Sequence, residues 1–300
     1  MEKRGNKGTL LRSLTYAVRI FFVTFSVRKI ITLRGGHGDR YIKIEPNVYV
    51  IISRIIMTQT KTTENMNKNL QTFIQEGGRR DHQQRYVLAF DTETTGLFPS
   101  NKEPHTIEHM PHITQLCFII YDMEKKKVVT KYNKYINIPQ NVEISPFITN
   151  LTGITREKCD KGVRMVDALR RFYKAYRICD IVVAHNLCFD KRMMEIEIQR
   201  YALEFFPDMM DACFMFNDTF NELHQITTMC TGNMGRDVCN IMIPSKFPGG
   251  RAYKKMPKLT ELYKFLFQEP LVGAHDALAD TEACLRCYVQ MRVRDPLLSV

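Results

Sequence analysis

Tyr86-Val87-Leu88-Ala89-Phe90-Asp91-Thr92-Glu93-Thr94-Thr95-Gly96-Leu97 is the stretch on which the reading of this chain turns. Five apolar residues in a row, with no Gly or Pro, predict a short buried strand. The strand ends in two carboxylates, and the period-two alternation of a strand puts Asp91 and Glu93 on one face, a few ångströms apart. Such a pair repels itself unless a cation sits between its members. Hard oxygen ligands select Mg²⁺ or Mn²⁺, and few protein ligands leave room for substrate oxygens. Gly96, in the tight turn that follows, lets backbone N–H groups approach a ligand closely.

Outward from this strand, Ile113 to Tyr121 and Lys127 to Ile136 read as a hairpin pair across the polar Asp122 to Lys126. Val166, Leu169, Phe172, Tyr173 and Tyr176 recur at helical steps on one face. Ile181 to Ala184 predicts a second buried strand, followed by a helix from about Asp190 to Leu203. Leu259, Leu262, Tyr263 and Leu266 mark an amphipathic helix, and Ala277 to Met291 another. Antiparallel strands followed by alternating strands and helices predict a mixed α/β sheet flanked by helices. The segment Phe205 to Met256 is the least legible.

Two further clusters stand at strand and helix ends. Ala184-His185-Asn186-Leu187-Cys188-Phe189-Asp190 closes the second buried strand, and strand exits are where α/β sites gather. On its position alone Asp190 also reads as a helix N-cap. Gly273-Ala274-His275-Asp276-Ala277-Leu278-Ala279-Asp280 puts His275 on a loop and Asp280 in the last helix.

The ordered set D-T-E-T-T-G-L, H-N-x-x-F-D and H-x-x-x-x-D resembles the DEDDh 3′→5′ exonucleases, a ribonuclease-H-like group that includes the proofreading epsilon subunit of bacterial DNA polymerase III. Ser145-Pro146 and Leu151-Thr152-Gly153-Ile154-Thr155 extend the likeness, which covers roughly Tyr86 to Arg292. The resemblance implies a ribonuclease-H-like, mixed five-stranded sheet. It further implies a two-metal phosphodiester hydrolase, in which ions roughly 3.5 to 4 Å apart stabilise charge on the entering and leaving oxygens. Asp91 would bridge the ions, Glu93 and Asp280 would hold the one carrying the attacking water, and Asp190 would support the other. His275 would be the general base, since imidazoles as a class take and release protons near neutrality. Thr92, Thr94, Thr95, Gly96 and Leu97 would meet the terminal nucleotide, with Phe189 beside them. His185 and Asn186 would act more indirectly, by hydrogen bonds near the substrate or within the turn.

The substrate expected is a nucleic acid with a free 3′ end. DNA is favoured over RNA because the Thr94-Thr95 form is most like the polymerase-proofreading branch, and a DNA polymerase is a candidate partner in trans. An exoribonuclease with the same residues is the alternative. A catalytically silent binding module is disfavoured, since four carboxylates held together without a cation carry an electrostatic cost.

Charge divides the chain. Residues 1–85 hold 16 Lys and Arg against 6 Asp and Glu, leaving 27 against 26 beyond Tyr86 out of totals of 43 and 32. Bulk charge therefore says nothing about the main domain's substrate. Residues 1–56 read as a basic extension: an organelle-targeting segment, a membrane-surface or partner-binding arm, or sequence upstream of a later start. Their apolar run Ile20 to Val27 is too short for an integral membrane span. Residues 57–85 read as a flexible linker, and 86–295 as the exonuclease domain. Nine scattered cysteines suit an intracellular, reducing compartment. Cys284 and Cys287 read as helix-packing thiols, with structural zinc as the alternative. His105, His109 and His112 read as a polar loop, with a metal site as the alternative. Arg251, Lys254, Lys255 and Lys258 around Tyr253 read either as a phosphate-contacting edge or as a solvated loop.

Overall fold

The computed structural model describes residues 31–34, 40–43, 84–100, 106–205, 209–245, 247 and 249–294. By its contacts the chain divides into Met1–Arg80 and Asp81–Val300. Within the first unit, β1 (Ile31–Arg34) and β2 (Arg40–Lys43) pair antiparallel. The rest of the expected basic extension and linker lies outside the described residues, apart from Gln84 and Arg85.

The second unit is built on β3 (Tyr86–Thr94), in which Val87, Leu88, Ala89 and Phe90 are fully buried. β3 pairs antiparallel with β4 (Ile113–Asp122), setting Asp91 opposite Cys117 and Glu93 opposite Gln115. β5 (Lys127–Asn137) continues the antiparallel ladder. The Ser145-Pro146 stretch does what its chemistry predicts for α1 (Pro146–Thr152): the Ser145 hydroxyl accepts from the Ile148 amide, Pro146 opens the first turn, and Gly153 closes the helix at φ 68°. Thr155 likewise caps α2 (Arg156–Asp160). The two-residue β6 (Val163–Arg164) then joins β5 in parallel.

Helix α3 (Met165–Ile178) lays the predicted apolar stripe on the sheet. β7 (Ile181–Ala184), all four residues buried, runs parallel to β3. α4 (Leu187–Arg200) follows, starting three residues before the expected Asp190 and ending before Leu203. The start moves because Asn186 takes a left-handed conformation, φ 62° and ψ 46°, turning the chain at once from strand into helix. The illegible segment resolves into α5 (Asp218–His224), β8 (Thr227–Cys230), α6 (Thr231–Cys239) and a small pair, β9 (Met242–Ile243) with β10 (Tyr253–Lys254). α7 (Leu259–Phe267) and α8 (Ala277–Arg294) complete the unit.

The main sheet has the order β6-β5-β4-β3-β7-β8, six strands where five were expected. Two-residue β6 is too short to show alternation, and β8, as long as β7, reads Thr227-Thr228-Met229-Cys230 with no apolar run, which is why the pattern missed them. The two faces of β3 go to different helices. Leu88 and Phe90 pack with Leu169, Phe172, Met193 and Met194 of α3 and α4. Val87 and Ala89 pack with Cys284, Leu285 and Tyr288 of α8. Cys287 is buried too, in the contact of α8 with α7, so the pair packs as thiols. No described helix is long and apolar enough to cross a membrane.

Candidate active site

Alternation along β3 continues past the core into the acids. Asp91 and Glu93 fall on the face covered by α8, and there they meet Asp280, one turn into that helix. Carboxylate oxygens of Asp91, Glu93 and Asp280 all lie within 4.8 Å of one another, the one such group found among the described residues. Thr92 falls on the opposite face, that of α4, where Asp190 stands. The Thr92 amide and hydroxyl both donate to Asp190 Oδ1, at 3.0 and 2.8 Å.

Asp190 is thus not the N-cap that its sequence position allowed. It lies in the first turn of α4, only 3% exposed, with its carboxylate turned back to the strand. Thr92 is buried as well, so its side chain serves Asp190 and not the surface.

Burial and mutual repulsion raise the pKa of every one of these acids. Asp91 is pushed well above the ordinary carboxylate range, first by burial and then by Asp190, Asp280 and Glu93. Glu93 is raised to about 8 by burial, with Asp280 and Asp190 adding to it. Asp190 is raised to about 7 by burial, against the pull of its Thr92 hydrogen bonds. Asp280 is raised by burial, opposed by the His275 amide that donates to its Oδ2 at 3.0 Å. Such a set is strained as bare charge and relaxed by a cation. The all-carboxylate donors fit a hard divalent ion.

The remaining predicted residues divide between surface and frame. Leu97 is 83% exposed at the rim. Thr94 is buried and donates its hydroxyl to the Gly96 carbonyl at 2.7 Å, closing the turn internally. Thr95 pairs with His112, amide to carbonyl at 2.9 Å and hydroxyl from the His112 amide at 3.0 Å. Phe189 packs on Phe98 with ring centroids 4.9 Å apart. Asn186 is exposed at the head of α4, and His275 is exposed with φ 69°.

Both ring nitrogens of His185 are engaged, Nδ1 with Thr231 Oγ1 at 2.9 Å and Nε2 with the Pro257 carbonyl at 3.0 Å. Burial lowers its pKa, favouring the neutral ring. Nε2 then donates to the carbonyl and Nδ1 accepts from the hydroxyl. His185 therefore ties the Phe205 to Met256 segment and its exit to the end of β7.

Of the three loop histidines, His105 lies outside the described residues. His109 bonds the Thr106 hydroxyl, and His112 is half-buried 3.8 Å from Glu197, its pKa lowered to about 4 by burial. Neither belongs to a metal-ligand group. In the basic stretch, Lys254 pairs with Asp237 and Lys255 with Glu261.

Periodicity missed the supports. Glu197, 1% exposed, accepts from the Ile113 amide and from Arg200, while Arg200 donates to the carbonyls of Ile107, Met110 and Pro111. This pair fastens the loop before β4 to α4, beneath the Thr95 turn. The one sequence signal was its i,i+3 spacing, common on solvated helix faces.

A mixed sheet with an acidic cluster at the end of its central strand, roofed by one helix and buttressed by another, defines a ribonuclease-H-like exonuclease domain. The sequence profile of the RNase T exonuclease family matches residues 88–288. The chain belongs to that family and is of the DEDDh 3′→5′ exonuclease type. It is similar to DNA polymerase III of the PolC type from Mycoplasmopsis pulmonis, 29% identical over 122 residues, 41% of this chain and 8% of that one. The PolC-type polymerase of Streptococcus pyogenes serotype M2 is 30% identical over 122 residues, 41% and 7%. The chain thus spans less than a tenth of the length of these relatives. Among solved structures, a zinc-bound E. coli ExoI–ssDNA complex superposes with TM-score 0.53 at 19% identity, covering 72% of this chain and 42% of that one. The nuclease domain of 3′hExo bound to rAMP gives 0.50 at 15% identity, covering 71% and 94%. At these identities the likeness speaks for the fold.

Proposed function

We propose that this chain hydrolyses DNA from the 3′ end to nucleoside 5′-monophosphates, using two Mg²⁺ or Mn²⁺ ions. The observation that carries this reading is the convergence of Asp91, Glu93 and Asp280, with Asp190 behind them, at the end of the central strand β3, with pKa values raised by burial and mutual repulsion that a bound cation would relieve. These four carboxylates would hold the ions, whose chemistry is to stabilise charge on the entering and leaving oxygens of the phosphodiester. Thr92 keeps Asp190 turned toward the strand. His275 is exposed beside Asp280, in reach of solvent, and accepts the proton of the attacking water. Leu97, standing clear of the surface, offers an apolar contact to the terminal base. DNA preference is supported by the Thr94-Thr95 pair and by the PolC-type polymerase relatives, which also make a polymerase acting in trans a candidate partner.

The test is incubation with end-labelled single-stranded DNA, duplex DNA and RNA in Mg²⁺, beside an Asp91→Ala control. Stepwise shortening from the 3′ end, lost in the control and fastest on DNA, is expected. Faster loss of RNA would transfer the substrate to RNA. Internal cuts, or equal activity in the control, would overturn the exonuclease reading.

A further inference from the structure

A fifth carboxylate reaches this cluster without joining it. Asp276 raises the pKa of both Asp91 and Glu93 by its charge, yet its own oxygens are committed elsewhere. Oδ1 accepts from the Leu278 and Ala279 amides, at 3.0 and 3.1 Å, capping α8. Oδ2 accepts from Gln115 Nε2 at 3.4 Å.

Gln115 is an unusual residue to find there. It is the third residue of β4, directly opposite Glu93, and is 1% exposed. The same Nε2 donates to Asn133 Oδ1 of β5 at 2.9 Å, while its Oε1 is buried with no hydrogen-bond partner. A buried amide oxygen left unpaired costs about 1–3 kcal/mol, so a glutamine here is unfavourable for packing alone. What it achieves is a link from the central hairpin to the loop before α8. His275 is the residue just before Asp276 in that loop, with its backbone in the left-handed region at φ 69°.

We propose that Gln115 and Asp276 are a positioning pair for the reaction: they fix the loop carrying His275 to β4, so that the sheet sets where the imidazole stands relative to the Asp91, Glu93 and Asp280 cluster. This rests on reading His275 as the general base. Asp276 is accordingly an anchor and not a metal ligand.

The experiment measures kcat, KM, Mn²⁺ affinity by calorimetry and thermal stability for Gln115→Leu, Gln115→Met, Asp276→Ala, Asp276→Asn and His275→Ala, with Gln115→Leu also made in the His275→Ala background. Gln115→Leu and Gln115→Met should each lower kcat by about tenfold, a factor set by lost orientation, with KM and Mn²⁺ affinity near those of the unaltered protein. The two side chains differ in shape, so a loss shared by both is not a packing failure of either. Asp276→Ala should lower kcat at least as far and also lower the melting temperature, because the helix cap goes with the anchor. Asp276→Asn should recover most of that turnover: its carbonyl caps the helix, and its amide donates to Gln115 Oε1 once the Gln115 and Asn133 amides turn over together, Asn133 then donating to the same Oε1. In the His275→Ala background, Gln115→Leu should cost nothing further. Unaltered kcat in both Gln115 variants, a Mn²⁺ affinity that falls with kcat, or a full further loss in the His275→Ala background would overturn the pair. Full activity of His275→Ala itself would instead sink the general-base role on which the pair depends.

Discussion

Glu93 keeps its proton to about pH 8 in the folded protein, whereas an unfolded glutamate loses it near 4.3. The folded state therefore binds more protons than the unfolded one across that interval, and without metal its stability should fall as pH rises from about 4 to about 8. Asp91 and Asp190, shifted the same way, add to the slope. Melting temperatures taken in chelator across this range check it, and saturating Mg²⁺ should flatten the decline. Asp91→Asn should abolish hydrolysis while raising the metal-free melting temperature at pH 8, since an amide, unlike the Asp91 carboxyl, has no ionised form that burial must neutralise; a lowered melting temperature would make Asp91 structural. At Gly96 a Cβ meets nothing within 4 Å. Gly96→Ala should then leave folding stability within about 0.5 kcal/mol, typical of surface changes, and raise KM if a nucleotide needs that space. Strand alternation, a local pattern, put Asp91 and Glu93 on one face in the sequence, whereas Asp190 and Asp280 were reached through the resemblance carried by the ordered motifs. Gln115 was not legible: beside Thr114 at the head of an apolar run it follows no period, and its partners Asn133 and Asp276 lie 18 and 161 residues away in the chain.

The elements that hold the site were legible in proportion to their length. β3, β4, β5, α3 and α8 each carry enough residues to show a pattern, four-residue β7 shows as an unbroken apolar run, and all stand close to where the sequence predicts. α4 began early because strand hands over to helix within one left-handed residue, Asn186, which no periodicity marks. Of the edge strands, β6 was invisible for want of residues and β8 for want of an apolar pattern. β6 in particular is placed by close approach: a Cβ on Gly162 would stand 2.6 Å from the Tyr135 carbonyl oxygen and 2.8 Å from the Asn137 amide nitrogen, both backbone atoms that have nowhere to go. Gly162→Ala should therefore detach β6 from β5 and cost about 1–3 kcal/mol, the usual range for overpacking. Denaturant melts give the energy. Amide exchange should localise the loosening to Ile136 and Val163, which pair across these strands, with oligonucleotide hydrolysis preserved. Loosened exchange at β3 instead would mean that the edge supports the centre.

On the scale of the whole molecule, every acid of the cluster and His275 belong to Asp81–Val300, apart from Met1–Arg80. Deleting residues 1–80 should leave turnover on short oligonucleotides unchanged. It should weaken binding to long ones at low salt, because the basic excess lies in that first part of the sequence and counterion release fades as ionic strength rises. Failure of the truncated chain to fold would move the domain start upstream. The same cluster also makes the intact molecule an exchanger of protons for cations. Near neutral pH, carboxyls poised at about 7 and about 8 are partly protonated, and a divalent ion entering among them must drive those protons into the medium. Calorimetric heats of Mn²⁺ binding at pH 7 should accordingly differ between buffers of unequal ionisation enthalpy, Tris against PIPES. The buffer-dependent part should shrink as pH rises past about 8, because Asp190 and Glu93 then release their protons before the metal arrives.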